Sequence, residues 1–279
     1  MTDRFATSIQ TPGTGPLLAR CVQITDSHVA ADRSFSLHGH TTYDALRRAL
    51  DTIASFPEPP DCIIHTGDVS QDRSRESYRH VRELVDEYPI PIYYVNGNHD
   101  DVRFLHEELG VEVRSYPDKA VSADYRFRVA GQEFVVVDSW HPDQRDPLGH
   151  LSGDQLAWLN ATLRDLAELH ERTVICLHHA PMPTGSPWAD ANMVITNGEA
   201  LHAVLSRHRK TVATVIHGHL HRALSVVRDG ITYASSPSVV WQYLWEPWRE
   251  NPAADPVTPP AYTLIDCYAD RVLLGHYPI

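Results

Sequence analysis

A chain of 279 residues with 42% apolar and 22% charged residues has the make-up of a folded globular protein, which excludes disorder, collagen and coiled coil. Its formal charge of −12, with no cluster of Lys and Arg, speaks against extended nucleic acid as a partner, because phosphate backbones are held mainly by basic surfaces. No apolar run approaches the roughly 18 residues that cross a bilayer. The opening "MTDRFATSIQTPGTGP" lacks the charged head and apolar centre of a secretory signal, so a cytoplasmic protein without membrane contact is expected. The cysteines (Cys21, Cys62, Cys176, Cys267) show no CxxC spacing and fall mostly in apolar strand-like runs, where they read as buried free thiols.

In chain order, residues 1–19 read as an N-terminal extension and 20–279 as one domain. The first half alternates strand and helix: "ARCVQITD", then "TTYDALRRALDTIASF", "DCIIHTGD", "SRESYRHVRELVDEY" and "IYYVNGNHD". That alternation predicts an α/β sheet covered by helices. The middle turns to hairpins, with "DYRFRVAGQEFVVVDSW" folding around Ala-Gly, and a helix follows in "SGDQLAWLNATLRDLAELH". Two further strands, "TVICLHHAP" and "TVATVIHGHLH", flank a helix near "NGEALHAVLSRH", and "ALSVVRDGITYASS" makes a hairpin on its Asp-Gly turn. "YTLIDCYADRVLLGHY" closes the chain as another hairpin. Prolines and crowded aromatics make 241–260 irregular.

The strand ends carry the chemistry. They read "TDSH" (Asp26, His28), "TGDVSQD" (Asp68), "NGNHDD" (Asn98, His99), "LHHAP" (His178, His179) and "HGHLH" (His219, His221). Carboxylate, carboxamide and imidazole are ligands for Mn, Fe and Zn, and the absence of cysteine among them argues against a purely structural zinc site. Open α/β sheets bind ligands beyond the carboxyl ends of their strands, where all five clusters sit. In Asp-x-His and His-x-His, alternate side chains leaving a strand point the same way and can converge. Each cluster alone is weak evidence, since Asn, Asp and Gly also mark ordinary turns. Their coincidence at five strand ends is not turn chemistry.

These residues resemble the calcineurin-like metallophosphoesterases, whose pattern of D-x-H, G-D, G-N-H-D/E, H and G-H-x-H stands complete as Asp26/His28, Gly67/Asp68, Gly97/Asn98/His99/Asp100, His178 and Gly218/His219/His221. The resemblance implies a four-layer α/β/β/α sandwich of two mixed β-sheets flanked by helices. It also implies two divalent or mixed-valence ions, Mn or Fe with Zn as an alternative. Asp26, His28 and His221 would hold one ion, Asn98, His178 and His219 the other, and Asp68 would bridge them, with attack by hydroxide held between the ions. His179 would support His178. His99 would steady the phosphate and protonate the leaving alkoxide, with Asp100 orienting its imidazole.

Gln71, Ser74, Tyr78, Gln155, Trp158 and Asn197 narrow the resemblance to the bacterial class III cyclic nucleotide phosphodiesterases, which hydrolyse 3′,5′-cyclic AMP. Asn98, His99, His150, Asn197 and His219 are then the expected substrate contacts. One departure matters: Leu148 stands before Gly149 where that group places a phosphate-facing His, and His150 follows. The alternative is another small phosphoester, a glycerophosphodiester or a phosphomonoester. Trp241, Tyr243, Trp245 and Trp248 leave base stacking, internal packing and a homodimer contact all open.

Overall fold

The computed structural model describes residues 15–279. The expected extension over 1–19 lies mostly outside that range, and the first strand, Leu17–Ile24, starts before residue 20. Two sheets make the body. In the first, Leu17–Ile24, Cys62–His65 and Ile92–Tyr94 run parallel, and Ala261–Tyr268 and Val272–Pro278 pair antiparallel on the other side of Leu17–Ile24. In the second, Gln132–Val136, Thr173–Cys176, Val212–His217 and Ile231–Ser235 run parallel, with Tyr125–Val129 and Leu224–Arg228 turned back at the two edges. Both sheets are mixed, as the hairpins in the sequence require. Leu224–Arg228 and Ile231–Ser235 turn on Asp229 and Gly230, both at positive φ (51° and 78°), the backbone of a two-residue hairpin.

The layers follow from a period of two. Along the second sheet Phe134, Val136, Val174, Cys176 and Ile216 join the core shared with Val22, Ile24 and Ile63 of the first sheet. Their neighbours Val135, Val137, Ile175, Leu177 and Val215 face the opposite way, onto Leu159, Leu163, Leu201 and Leu205. Those four leucines belong to the helices Gly153–Glu168 and Gly198–Arg207. The helix Thr42–Ala54 covers the outer face of the first sheet, burying Ala45, Leu46, Ala49, Leu50 and Ile53 at helical spacing. The result is the expected α/β/β/α order. Each fully buried aliphatic side chain contributes about 1.5–3 kcal/mol, so this double core is what fixes the two sheets against each other.

Local signals set the helix boundaries. Ser152 accepts from the Gln155 amide at 3.2 Å while the Gln155 side chain accepts from the Ser152 amide at 3.1 Å, a reciprocal cap. The helix Val102–Leu109, capped by Asp101, was not anticipated, because "DDVRFLHEELG" directly follows a strand-end motif and reads as its continuation. All four cysteines are free and buried. Among the described residues no helix is long and apolar enough to cross a membrane.

A buried polar joint ties the two sheets near their carboxyl ends. Lys119, its side chain 1% exposed, places its ammonium 2.9 Å from the Asp138 carboxylate and donates to the Trp140 carbonyl at 2.6 Å. Asp138 also accepts from the Asn96 side chain at 2.9 Å, so the loop before Asn98 is tied to the second sheet. Removing one partner of such a pair leaves a buried charge unpaired. Lys119→Ala is therefore expected to lower the unfolding free energy by about 3–5 kcal/mol in a urea titration; a loss below about 1 kcal/mol would show that Asp138 is satisfied without the lysine.

Candidate metal centre

The strands that carry the five clusters are parallel within each sheet, so they finish at one edge. Asp26, His28, Asp68, Asn98, His178, His219 and His221 all end buried there. Asp26, His28, Asp68, His219 and His221 have φ of 55°, 47°, 53°, 67° and 42°, left-handed backbone that costs a non-glycine residue on the order of 1 kcal/mol each. Hydrogen bonds hold these turns: the Asp26 amide donates to the Gly67 carbonyl and the His28 amide to the Asp68 carbonyl, each at 3.0 Å. The His219 amide donates to the Asp26 carboxylate at 3.1 Å.

Two glycines of the motifs are required by close approach. A Cβ on Gly97 would lie 2.2 Å from the Asp68 amide nitrogen, and one on Gly218 would lie 2.0 Å from Thr25 Oγ1. Gly67 combines φ of 99° with a His178 ring that a Cβ would meet at 2.4 Å.

The ligand atoms gather in overlapping groups. Asp26, His28 and His221 form one, Asp26, Asp68 and His178 another, and His178, His179 and His219 a third. Asp68 Oδ2 lies 3.3 Å from His178 Nε2 and 3.8 Å from His28 Nε2, between the outer two groups. Tautomers are set by carbonyls, which only accept. His178 Nδ1 donates to the Thr66 carbonyl at 2.8 Å and His221 Nδ1 to the Trp241 carbonyl at 3.2 Å. The Nδ1 side of each ring is thus committed, and Nε2 is turned inward. His178 Nε2 then sits 3.2 Å from Asn98 Oδ1, and His221 Nε2 sits 3.3 Å from His28 Nε2 and 3.2 Å from Asp26 Oδ1.

Acceptors facing acceptors in a dry site are the signature of a cation position. Asp26 Oδ1, His179 Nε2 and His219 Nε2 are buried without a hydrogen-bond partner. The donor set is all imidazole, carboxylate and carboxamide, so these residues fit divalent transition metals.

Electrostatics agree with ligation. Burial pushes His28 and His219 down to about 3, keeping both rings neutral as ligands must be. Burial alone would raise Asp68, but His178 and His99 hold it well below the usual carboxylate range. Burial lowers His178, yet the Asp68 carboxylate outweighs this and pushes it up to about 9. Without a cation, a proton between His178, Asp68 and Asn98 relieves the same repulsion.

His99 and Asp100 divide differently from expectation. His99 Nδ1 donates to the Gln71 carbonyl at 3.0 Å, its amide donates to Asp68 Oδ1 at 2.8 Å, and its ring stands 4.9 Å from that of His28. Burial lowers the His99 pKa, but Asp68 and the Gln71 carbonyl reverse it into a net rise. Asp100 does not orient that ring. Its carboxylate accepts from the amides of Ser70 (2.9 Å), Gly97 (3.0 Å) and Val69 (3.2 Å) and from the Tyr78 hydroxyl (3.1 Å), knitting two motif loops together. Backbone amides are satisfied best by an acceptor-only carboxylate, which explains the residue type there.

Two expected substrate contacts are engaged elsewhere. The Asn197 amide clamps Leu151, donating to its carbonyl at 2.7 Å and accepting from its amide at 3.1 Å. His150 pairs with Thr196 Oγ1 at 2.9 Å and joins none of the ligand groups. Both serve the junction between the 149–151 segment and the 194–198 loop. Of the four aromatics, Trp241 and Tyr243 wall His221, at 4.5 Å and 5.5 Å between ring centres, Trp245 packs with Leu220 and Met193, and Trp248 is exposed. The orienting carbonyls of Thr66, Gln71 and Trp241 escaped the sequence reading because main-chain acceptors have no residue signature.

A raised imidazole pKa adds stability that is fully present below the unfolded value near 6.5 and is lost as pH rises through the folded value. In chelated protein the stability gap between wild type and His178→Gln is therefore expected to narrow from pH 6.5 to pH 9, where His178 titrates. A thermal-unfolding series in EDTA reads it; a gap constant over that window would contradict the Asp68–His178 coupling.

Comparison with known proteins agrees with this geometry. The family model described as Calcineurin-like phosphoesterase matches residues 19–223. The 3′,5′-cyclic adenosine monophosphate phosphodiesterase CpdA of Escherichia coli is 31% identical over 94% of this chain and 90% of its own. A 3′,5′-cyclic-nucleotide phosphodiesterase of Nostoc is 29% identical over 79% of this chain and 78% of its own. Among solved structures, a dimetal phosphatase from Danio rerio superposes with a TM-score of 0.67 at 18% identity, covering 94% of this chain and 96% of that one, which speaks to the fold. With its five motifs assembled at one sheet edge, the chain belongs to the calcineurin-like phosphoesterase family.

Proposed function

We propose that the protein is a metal-dependent phosphodiesterase that hydrolyses 3′,5′-cyclic nucleotides, cyclic AMP first among them, to 5′-monophosphates. The observation that carries this reading is the pair of ligand groups that share one edge around Asp68, with His99 beside them. The substrate class draws on the relatives named as cyclic AMP and cyclic nucleotide phosphodiesterases, matched over most of the chain.

In this reading Asp26, His28 and His221 hold one ion, Asn98, His178 and His219 the second, and Asp68 serves both. His178 is favoured over His179 because it alone of the two meets Asp68 and Asn98. When bound, two divalent ions supply Lewis acidity toward the phosphoryl group and a water deprotonated near neutral pH. Their four positive charges exceed the two carboxylates of Asp26 and Asp68, so an anionic phosphodiester is drawn into a site on an acidic protein. Manganese or iron suits this mixed nitrogen and oxygen set, as does zinc.

The chain's own contribution to bond breaking falls to His99. Its Nδ1 proton is committed to the Gln71 carbonyl, which leaves Nε2 to carry the second proton, and the neighbouring Asp68 carboxylate favours the protonated ring. Opening the cyclic ester releases O3′ as an alkoxide, a poor leaving group that needs this proton. Asn98, His99 and His219 are the proposed phosphate contacts. His150 and Asn197 are not retained in that role.

The test is conversion of cyclic AMP to 5′-AMP by manganese-loaded protein, abolished by chelation. Cleavage of bis-p-nitrophenyl phosphate or a glycerophosphodiester alone would keep the chemistry and replace the substrate, directing attention to Leu148. His99→Ala is expected to slow cyclic AMP hydrolysis by about 10²-fold or more and bis-p-nitrophenyl phosphate far less, because p-nitrophenolate leaves without a proton. Equal losses on both substrates would remove His99 as the acid.

A further inference from the structure

We infer that Asp146, which lies outside all five motifs, is a positioning residue that sets the Asn98 carboxamide with its oxygen toward the second metal position. The inference rests on the dimetal reading above and adds a residue to it. A carboxamide ligand has a problem that carboxylates and imidazoles lack: half a turn about its last bond exchanges an oxygen that binds cations for an NH₂ that repels them. Something must choose between the two.

Asp146 supplies the choice. Asn98 Nδ2 donates to Asp146 Oδ1 at 3.1 Å, and an ionised carboxylate can only accept, so the flipped amide would set oxygen against oxygen. In the chosen orientation Asn98 Oδ1 faces His178 Nε2 at 3.2 Å, with the His178 Nδ1 proton already given to the Thr66 carbonyl. The two acceptors converge on the space a cation would fill.

Arg73 completes the arrangement. Its guanidinium donates to the Asn98 main-chain carbonyl, lies 3.6 Å from Asp146 Oδ2 and packs 5.4 Å over the Trp140 ring. Both ends of Asn98 are thus held, side chain by Asp146 and main chain by Arg73. The contact spans the sheets, since Asn98 follows Ile92–Tyr94 and Asp146 follows Gln132–Val136. The Arg73 and Asp146 side chains are 42% and 56% exposed, so their pairing adds little to folding and its effect belongs at the metal.

Manganese titration of the full chain by calorimetry, with bound metal counted by mass spectrometry, tests this. Asp146→Ala is expected to keep one ion at wild-type affinity and to weaken the other about 10- to 100-fold, as loss of a ligand's supporting partner does. Asp146→Asn, which retains an acceptor oxygen, should recover part of that affinity. In an Asn98→Ala background Asp146→Ala should add no further loss, because its effect passes through the carboxamide. Unfolding in EDTA should not shift. Two ions bound by Asp146→Ala at wild-type affinity, or an undiminished effect of Asp146→Ala without Asn98, would overturn the inference alone. Uptake of a single ion by the wild-type protein would overturn the dimetal reading and this inference with it.

Discussion

A single buried carboxylate organises the edge where the two sheets meet. Asp68 lies between His28 and His178, accepts the His99 amide, and sits where charge without a partner would be costly. Gly97 is glycine because the Asp68 amide and carboxylate occupy the space of its Cβ, and Gly67 is glycine because the His178 ring stands beside it. The motif glycines are the clearance that lets four loops converge on one acid.

Convergence has a cost visible in the backbone. Five ligand residues hold left-handed φ, together on the order of 5 kcal/mol, a large share of the 5–15 kcal/mol that stabilises a typical domain. Such strain persists only where packing over-determines it. Here the two sheets share one core, the Lys119–Asp138–Asn96 joint fixes the sheets near the site, and Asp100 laces the amides of Val69, Ser70 and Gly97. In the proposed function, the binding free energy of divalent ions offsets the strain of this acceptor-rich edge.

Much of this was legible in the chain. Strand and helix alternation and the Asp229-Gly230 turn placed the main elements, because each is governed by local chemistry. That Asp, Asn and His side chains gather at the strand ends was legible for the same reason, since metal-donor residue types are few and their spacing on strands is constrained. What could not be read depends on distant chain segments. Asp100 looked like a partner for His99 by adjacency, yet its carboxylate turns to amides from the Asp68 loop. Asn197 and His150 looked like pocket residues, and tertiary contacts with Leu151 and Thr196 use them instead. Trp241 gained a role through its carbonyl, which no side-chain pattern announces.

The claim at the centre is that this edge holds two ions about one carboxylate. A crystal of the manganese-loaded protein, examined by anomalous scattering at the metal edge, addresses it directly. Two peaks about 3.5–4 Å apart, one beside Asp26, His28 and His221, the other beside Asn98, His178 and His219, with Asp68 between them, are the predicted result. One peak, or two that do not share Asp68, would contradict it.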